Sequence, residues 1–145
     1  METTQASQSG TSSGRILFAD DDEGFQLGLG LRLRKSGFEC DFAKSGSEAV
    51  GLLRTKEYDV LLSDIHMPGN VDLELIESLP AIIDGLPIIL LTGRPTVETA
   101  SRSVRLRVSA YLTKPPDFEE LRGLLKTSIT EYRNVRLLKG NRRRI

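Results

Sequence analysis

The chain of 145 residues contains a single cysteine (Cys40), a single histidine (His66) and no tryptophan. One cysteine cannot form an internal disulfide, and one cysteine with one histidine offers too few ligands for a structural zinc site. No apolar stretch approaches the roughly 20 residues of a membrane-spanning helix, and the N-terminus lacks the apolar core of a signal peptide. We therefore expect a cytoplasmic protein that makes no contact with a membrane.

The net charge is zero, but its distribution along the chain is uneven. Residues 121–145 carry eight Lys or Arg and one Glu, whereas residues 1–120 carry twelve Lys or Arg and nineteen Asp or Glu. A basic end is typical of segments that bind nucleic acid or an acidic partner, and also of a solvated helix face. The run from Arg142 to Arg144 is too short for a DNA-recognition unit, so we expect no nucleic-acid binding within this chain.

Composition divides the chain into three parts. Eleven of the first fourteen residues are Ser, Thr, Gly or Gln, so residues 1–13 are predicted to form a disordered tail. The predicted domain covers residues 14–128, and residues 129–145 form a basic extension of the last helix. Within the domain, short apolar runs alternate with amphipathic stretches, which predicts strands at about 15–19, 38–42, 59–63, 87–91 and 108–112. Helices are expected at about 23–36, 45–55 and 95–106, within 71–79, and after Asp117.

Strands separated by helix-length segments imply right-handed crossovers and a parallel sheet. The third and fourth strands are apolar almost throughout, as central strands are, whereas the second is more polar and belongs at an edge. These features predict an α/β fold, a three-layer sandwich of the flavodoxin-like (βα)5 type with strand order 2-1-3-4-5. In that order, the C-terminal ends of the first and third strands flank the position where ligands bind.

The last helix is predicted to be longer than the domain needs. Asp117, with Glu120 three residues on, begins it with a variant of the capping box, and the helix can extend to Lys139 before Gly140. We expect the domain to cover only its first half. The second half then exposes an apolar seam, which suits a homodimer contact or a linker to a partner. The seam consists of Tyr132, Val135 and Leu138.

Polar side chains follow four of the predicted strands at their C-terminal ends. In chain order they are an acid cluster (Asp20, Asp21, Asp22), the acid Asp64, the hydroxyl of Thr92 and the amine of Lys114. Packed carboxylates repel one another unless a cation neutralises them, and Mg²⁺ prefers oxygen ligands and often bridges to phosphate. The alternative is that the acids at residues 20–23 only cap the first helix. With Asp64 and Lys114 at the same edge, the favoured interpretation is a Mg²⁺ site.

This set of groups has a specific chemical use. A carboxylate held beside Mg²⁺ can attack a phosphoryl group and form an aspartyl phosphate, which is the chemistry that Asp64 suits. Thr92 can donate a hydrogen bond to one phosphoryl oxygen, and the ammonium of Lys114 can pair with another.

Four motifs together resemble those of the response-regulator receiver domain, the chemotaxis-regulator type of fold, over about residues 14–128. They are Ile16-Leu-Phe-Ala-Asp-Asp-Asp22, Asp59-Val-Leu-Leu-Ser-Asp64-Ile-His-Met-Pro68, Ile88-Ile-Leu-Leu-Thr92 and Tyr111-Leu-Thr-Lys114-Pro115. The resemblance implies that Asp64 is the phosphoacceptor. It also implies that Asp64 shares the metal with Asp20, Asp21 and the backbone carbonyl of His66.

The same resemblance assigns the remaining site residues. Thr92 matches the switch hydroxyl, and Lys114 matches the lysine that pairs with the phosphoryl group. The peptide bond before Pro115 is expected to be cis. Tyr111 is expected to change rotamer when Thr92 moves; the alternative is that Tyr111 is simply a core residue.

The resemblance also implies a function in a two-component phosphorelay. The domain would accept phosphate from a histidine kinase or a histidine phosphotransfer protein. Phosphorylation would then change the surface formed by the fourth helix, the fifth strand and the fifth helix. The chain would not be an enzyme beyond promoting its own phosphorylation and dephosphorylation.

Two departures from the family pattern affect these expectations. The sequence Gly69-Asn-Val-Asp72 replaces the Asp-Gly turn that usually follows Met-Pro, so the loop into the third helix is expected to differ. His66 and Arg94 each lie two residues past a site residue, beside the path of an attacking water, and we expect them to tune the lifetime of the phosphoaspartate. The alternative for His66 is a side chain that only points to solvent.

Two other functions compete with that of a receiver domain. The acidic run after the first strand faintly resembles the nucleophile motif of haloacid-dehalogenase-like phosphatases, but that interpretation leaves Asp64 without a role. A pseudo-receiver that acts only as a protein-binding platform is the other alternative. The presence of every key residue argues against it.

Overall fold

The computed structural model describes residues 12–70 and 73–144, with side-chain surroundings up to Lys139. Most of the predicted disordered tail, residues 1–11, lies outside this range. The last two residues of the predicted tail, Ser12 and Ser13, lie within the described range. The amide of Ser13 donates to the carbonyl oxygen of Gly37 at 3.0 Å, so this end of the tail contacts the domain.

Five strands alternate with five α-helices along the described chain, close to the predicted positions. The elements are β1 (Arg15–Ala19), α1 (Glu23–Lys35), β2 (Glu39–Ala43), α2 (Gly46–Thr55), β3 (Val60–Asp64), α3 (Glu74–Ser78), β4 (Ile88–Thr92), α4 (Val97–Arg105), β5 (Ala110–Thr113) and α5 (Phe118–Arg144). A 3-10 turn, Leu79–Ala81, follows α3 directly. With five residues, α3 is the shortest of the five α-helices in the described chain.

All five strands form one parallel sheet in the order β2-β1-β3-β4-β5, which confirms the predicted flavodoxin-like topology. Every residue of β3 and β4 is buried, as expected for apolar central strands. The edge strand β2 begins with the exposed Glu39. The different compositions of these strands explain their places in the sheet.

Helices cover both faces of the sheet and form two apolar clusters with it. On one face, leucines of α1 and α5 pack against β1, β3 and β4; they include Leu29, Leu33, Leu121 and Leu125. On the other face, α2 and α3 contribute Ala49, Leu53, Leu75 and Ile76. Together the two clusters give the three-layer sandwich that the sequence predicts.

The last helix differs from the prediction in its end and in its contacts. It continues through Gly140 to Arg144, so the expected end at Lys139 is wrong. The expectation that Tyr132 is uncovered is also wrong, because Tyr132 is half-buried against the core cluster of α2 and α3. Val135 and Leu138 are about half exposed, as predicted. A glycine inside a helix costs only about 1 kcal/mol relative to alanine, which is too little to end a long helix by itself.

Ion pairs attach the second half of α5 to the N-terminal edge of the sheet. They join Arg133 to Asp59, Arg136 to Glu57 and Lys139 to Asp84. The domain therefore holds α5 further along its length than the sequence suggests. None of the helices in the described part of the chain is both long and apolar enough to cross a membrane.

Candidate functional site

The predicted site residues meet at the C-terminal edge of the sheet. Asp20 directly follows β1, Asp64 ends β3, Thr92 ends β4 and Lys114 directly follows β5. Backbone hydrogen bonds continue past the strand ends: the amide of Asp20 donates to Ala43 at 2.9 Å, and the amide of Lys114 donates to Thr92 at 2.8 Å. These bonds keep the backbones of Asp20 and Lys114 in the plane of the sheet.

The three acids after β1 have different surroundings. Asp20 is fully buried, whereas Asp21 and Asp22 are exposed. Asp22 is the N-cap of α1, since its Oδ1 accepts the amide of Phe25 at 3.1 Å. Asp20 and Asp21 are not used in this way, so helix capping does not account for the whole cluster.

Lys114 lies between the two buried carboxylates. Its Nζ is 2.7 Å from Oδ2 of Asp20 and 3.5 Å from Oδ2 of Asp64, and it lies 4.7 Å from the centre of the Phe25 ring. Burial by itself lowers the pKa of Lys114, but the carboxylates of Asp20 and Asp64 outweigh this effect and raise it above its ordinary value. Lys114 is therefore a fixed cation. The peptide bond from Lys114 to Pro115 is cis.

Asp64 is 5% exposed and has an unfavourable environment for its charge. Burial raises the pKa of Asp64, and the nearby Asp20 carboxylate raises it further. Lys114 and the backbone amide of His66, which donates to Oδ1 of Asp64 at 3.3 Å, only partly oppose this shift. A second cation near these acids would relieve the repulsion between them.

The donor set fits a hard divalent cation such as Mg²⁺. Asp20, Asp21 and Asp64 each offer a carboxylate oxygen, and these oxygens lie within 4.8 Å of one another. Oδ2 of Asp20 is buried and lies 2.7 Å from the ammonium of Lys114. An oxygen-only site that includes a buried carboxylate matches the ligand preference of Mg²⁺. His66, whose carbonyl is the fourth predicted ligand, lies at the same edge with its side chain exposed.

The two predicted switch residues, Thr92 and Tyr111, have different hydrogen-bond partners. Thr92 is fully buried, and its Oγ1 accepts the amide of Arg94 at 2.9 Å. The hydroxyl of Tyr111 lies 2.7 Å from Oγ1 of Thr99 and accepts the amide of Thr96 at 3.3 Å. Tyr111 is half-buried and is attached to the start of α4, so it is not a plain core residue. The Arg94 side chain is exposed.

The sequence does not reveal the contacts of Asn70, which lies in the loop after β3. Asn70 is fully buried, and its side-chain amide donates to the carbonyl oxygen of Asp64 at 2.9 Å. Its side-chain oxygen accepts the amide of Leu75 at 3.0 Å. The unusual turn sequence indicated that this loop would differ, but the partners of Asn70 are backbone groups that no motif reveals.

Comparison with known proteins agrees with this geometry. A family model described as the response regulator receiver domain matches residues 16–126. The DNA-binding transcriptional regulator NtrC of Klebsiella pneumoniae is 34% identical over 113 residues, which cover 78% of this chain and 24% of NtrC. The chain thus spans about a quarter of the length of this relative.

Solved structures show the same fold. The CheY-like response regulator receiver domain protein of Methanospirillum hungatei JF-1 superposes with a TM-score of 0.75 at 26% identity, covering 83% of this chain and 96% of that one. A response regulator protein of Burkholderia pseudomallei, solved with a phosphorylated aspartic acid, a calcium ion and citrate, has a TM-score of 0.71 at 27% identity, covering 86% and 74%. With the fold and the four motifs in agreement, this chain belongs to the response regulator receiver domain family.

Proposed function

We propose that this chain is a phosphoacceptor of a two-component phosphorelay and that Asp64 carries the phosphoryl group. The observation that carries the proposal is the position of Lys114, whose ammonium lies between the carboxylates of Asp20 and Asp64 at the end of the sheet. This is a place where an incoming phosphoryl group meets a nucleophile and a fixed positive charge.

The transfer itself needs few groups. A carboxylate oxygen of Asp64 attacks the phosphorus of a phosphohistidine, the phosphorus–nitrogen bond breaks, and the leaving imidazole keeps the electron pair and takes up a proton. When bound, Mg²⁺ supplies positive charge that offsets the charge on the phosphoryl oxygens. Asp20, Asp21, Asp64 and the carbonyl of His66 would hold the ion.

After transfer, two side chains hold the new phosphoryl group. Lys114 pairs with one oxygen, which weakens its contact with Asp20. The hydroxyl of Thr92 accepts the Arg94 amide, so its own hydrogen is available to donate to another phosphoryl oxygen. Movement of Thr92 toward the phosphoryl group changes the space beside β5 and so shifts the surface formed by α4, β5 and α5.

Tyr111 connects this change to α4. Its hydroxyl contacts Thr99 and Thr96 at the start of that helix. When Thr92 moves, Tyr111 changes rotamer and its hydroxyl leaves Thr96 and Thr99. The start of α4, which loses these contacts, then moves. The outcome is a phosphorylation-dependent surface for a partner or for a second copy of the chain.

The partners follow from this chemistry. The phosphoryl donor is a histidine kinase or a histidine phosphotransfer protein in the cytoplasm. The exposed Val135 and Leu138 on α5 suit a homodimer contact. Membrane contact and nucleic-acid binding are not part of the proposed function of this segment. Its only catalysis is to promote its own phosphorylation and dephosphorylation.

A mass measurement tests the proposal. The protein is incubated with Mg²⁺ and acetyl phosphate, and the intact mass of the wild type is compared with that of Asp64→Ala. We expect one added phosphoryl group on the wild type, none on Asp64→Ala, and none when a chelator replaces Mg²⁺. Asp84→Asn is a matched control, because Asp84 is an exposed carboxylate at the opposite edge of the sheet.

Two results would redirect the proposal. A wild-type protein that binds Mg²⁺ but gains no phosphoryl group, from acetyl phosphate or from a phosphohistidine protein, is a pseudo-receiver that acts as a binding platform. Hydrolysis of small phosphoesters by Asp64→Ala would instead point to a phosphatase with its nucleophile after β1. The burial of Asp20 and its contact with Lys114 argue against that second outcome.

A further inference from the structure

The loop between β3 and α3 is held from within by one buried amide. Asn70 is fully buried and directs both ends of its amide at backbone groups. Its Nδ2 donates to the carbonyl oxygen of Asp64 at 2.9 Å, and its Oδ1 accepts the amide of Leu75 at 3.0 Å. The Asn70 side chain therefore links the last residue of β3 to the first turn of α3.

The carbonyl at the Asp64 end of this link is fixed on two sides. It also accepts a hydrogen bond from the hydroxyl of Ser63 at 2.9 Å. The side-chain Oδ1 of Asp64 accepts the backbone amide of His66. Backbone and side chain of Asp64 are thus restrained together, and a shift of the Asp64 carbonyl would move its carboxylate and the neighbouring His66 backbone as well.

At its other end, Asn70 replaces a missing helix cap. Leu73, in the N-cap position of α3, provides no side-chain hydrogen bond and adopts a left-handed backbone conformation with φ of 68°. The first amides of a helix lack intrahelical partners and need an acceptor from elsewhere. Asn70, five residues before Leu75, supplies that acceptor.

The loop is also held from outside. The amide of Gly46 at the start of α2 donates to the carbonyl oxygen of Pro68 at 2.7 Å. A Cβ at Gly46 would lie 2.4 Å from the carbonyl oxygen of Gly69, so no larger residue fits there. Met67 and Asn70 pair through their backbones across the turn. These contacts restrain residues 67–70, and the Asn70 side chain adds a link from the Asp64 carbonyl to the amide of Leu75 in α3.

We infer that Asn70 is a positioning residue for phosphorylation. By fixing the backbone of Asp64 and His66, it sets the distance between the acceptor carboxylate and the cation site, and it connects both to α3. Only an amide does this, because the site needs one donor and one acceptor on the same planar group. The inference rests on the function proposed for Asp64.

Asn70→Asp separates the two contacts. Aspartate keeps an acceptor for the amide of Leu75 but cannot donate to the carbonyl of Asp64. We expect protection of the Leu75 amide from hydrogen exchange to persist, while the rate constant for phosphorylation by acetyl phosphate falls about tenfold or more. Affinity for Mg²⁺ alone is measured by calorimetry on Asn70→Leu, because Asn70→Asp adds a negative charge beside the acid cluster, and is expected to fall. In Asn70→Leu, protection of Leu75 is lost too.

A matched control separates positioning from stability. Ile76→Val removes one buried methylene from α3 without touching Asp64 or the loop. If Asn70→Asp is phosphorylated at the same rate as Ile76→Val, and Asn70→Leu binds Mg²⁺ as tightly as Ile76→Val, then Asn70 is only structural and the inference is overturned, whatever the urea midpoints of the three variants. Asn70→Leu adds no charge, so a slow phosphorylation that this variant shares with Asn70→Asp comes from the lost donor to Asp64 and not from the added carboxylate.

A measurement on the wild type keeps the inference testable if a variant fails to fold. The side-chain NH₂ signals of Asn70 should be protected from exchange and show a coupling across the hydrogen bond to the Asp64 carbonyl carbon. Exchange of these protons at the rate of a solvent-exposed amide overturns the inference. Absence of phosphorylation in the wild type overturns the proposed function instead, and Mg²⁺ affinity then still tests the effect of Asn70 on the acid cluster.

Discussion

The guanidinium of Arg133 on α5 donates two hydrogen bonds to the carboxylate of Asp59 at the start of β3. Nε lies 3.2 Å from Oδ1, and Nη2 lies 2.9 Å from Oδ2. The Asp59 carboxylate also accepts the backbone amide of Arg15 at 2.9 Å. A single buried acid therefore holds together β1, β3 and the extended part of α5.

Loss of this pair should destabilise the domain. Arg133→Met keeps the apolar stem but leaves Asp59, 6% exposed, without its charged partner. Because the Arg133 side chain is half exposed, we expect a loss of about 1 kcal/mol in the free energy of unfolding, measured in urea. Lys126→Met, at an exposed position of the same helix, is the control. Equal midpoints for the two variants would contradict the prediction.

Lys114→Met should strengthen metal binding while weakening phosphorylation. The change removes the cation that faces both Asp20 and Asp64, so the acid cluster binds Mg²⁺ more tightly, by about tenfold or 1.4 kcal/mol. Calorimetric titration with Mg²⁺ measures this directly. Phosphorylation by acetyl phosphate should fall because the phosphoryl group loses its fixed partner. Lys44→Met, which removes an exposed pair with Glu23, should change neither quantity; a wild-type Mg²⁺ affinity in Lys114→Met would refute the argument.

His66 and Arg94 should set the lifetime of the phosphorylated state. Both side chains are exposed at the edge that carries Asp64, and Arg94 is joined by its backbone to Thr92. We expect His66→Ala and Arg94→Ala each to change the rate of dephosphorylation about threefold to tenfold, equivalent to about 1 kcal/mol in the barrier. The decay of the phosphorylated mass after removal of acetyl phosphate gives the rate. Arg105→Ala, at the far end of α4, is the control, and unchanged decay in both test variants would exclude this function.

The hydrogen bond from Tyr58 to Asp41 should control an acid titration. The Tyr58 hydroxyl donates to Oδ2 of Asp41 at 2.6 Å, and this bond is the main reason that the pKa of Asp41 is low, with smaller help from Lys56 and Arg15. In Tyr58→Phe the pKa of Asp41 should rise toward its ordinary value near 3.8. NMR titration of the Asp41 carboxyl carbon measures the change.

The sign of the effect on stability follows from the direction of that shift. The pKa of Asp41 is lower in the folded than in the unfolded protein. The stability that the ionised Asp41 adds to the folded state is therefore fully present above about pH 4 and is lost as the pH falls through the folded pKa. The difference in the free energy of unfolding between the wild type and Tyr58→Phe should therefore shrink as the pH is lowered below 4. Asp84, whose pKa is lowered by a hydrogen bond from Lys139, should titrate identically in both proteins and serves as an internal control.

The sheet was predictable because strand composition reports burial directly. The continuous apolar runs ending at Asp64 and Thr92 placed two strands at the centre, and the polar Glu39 and Asp41 placed β2 at the edge. Once the order of the strands is known, their C-terminal ends must lie side by side. The meeting of Asp20 with Asp64 follows from that geometry and needs no long-range information.

The contacts of α5 and Asn70 were not predictable in the same way. Gly140 is a usual end signal, but a helix ends there only if tertiary contacts or capping favour it, and α5 continues beyond it. The ion pairs of Arg133 and Arg136 join residues more than seventy positions apart. Asn70 binds backbone groups, which carry no signature in the sequence of their own residues.

The length of α5 turns small rotations of the domain surface into larger displacements. Ile129 is the last buried residue of α5 up to Lys139, where the described side-chain surroundings end, and from Ile129 to Arg144 the helix rises by about 23 Å at about 1.5 Å per residue. A tilt of about 5° at Ile129 would therefore carry the far end sideways by about 2 Å, provided that the helix stays straight. The ion pairs of Arg133, Arg136 and Lys139 join one side of the helix to the domain, so a tilt of α5 away from that side would have to break them.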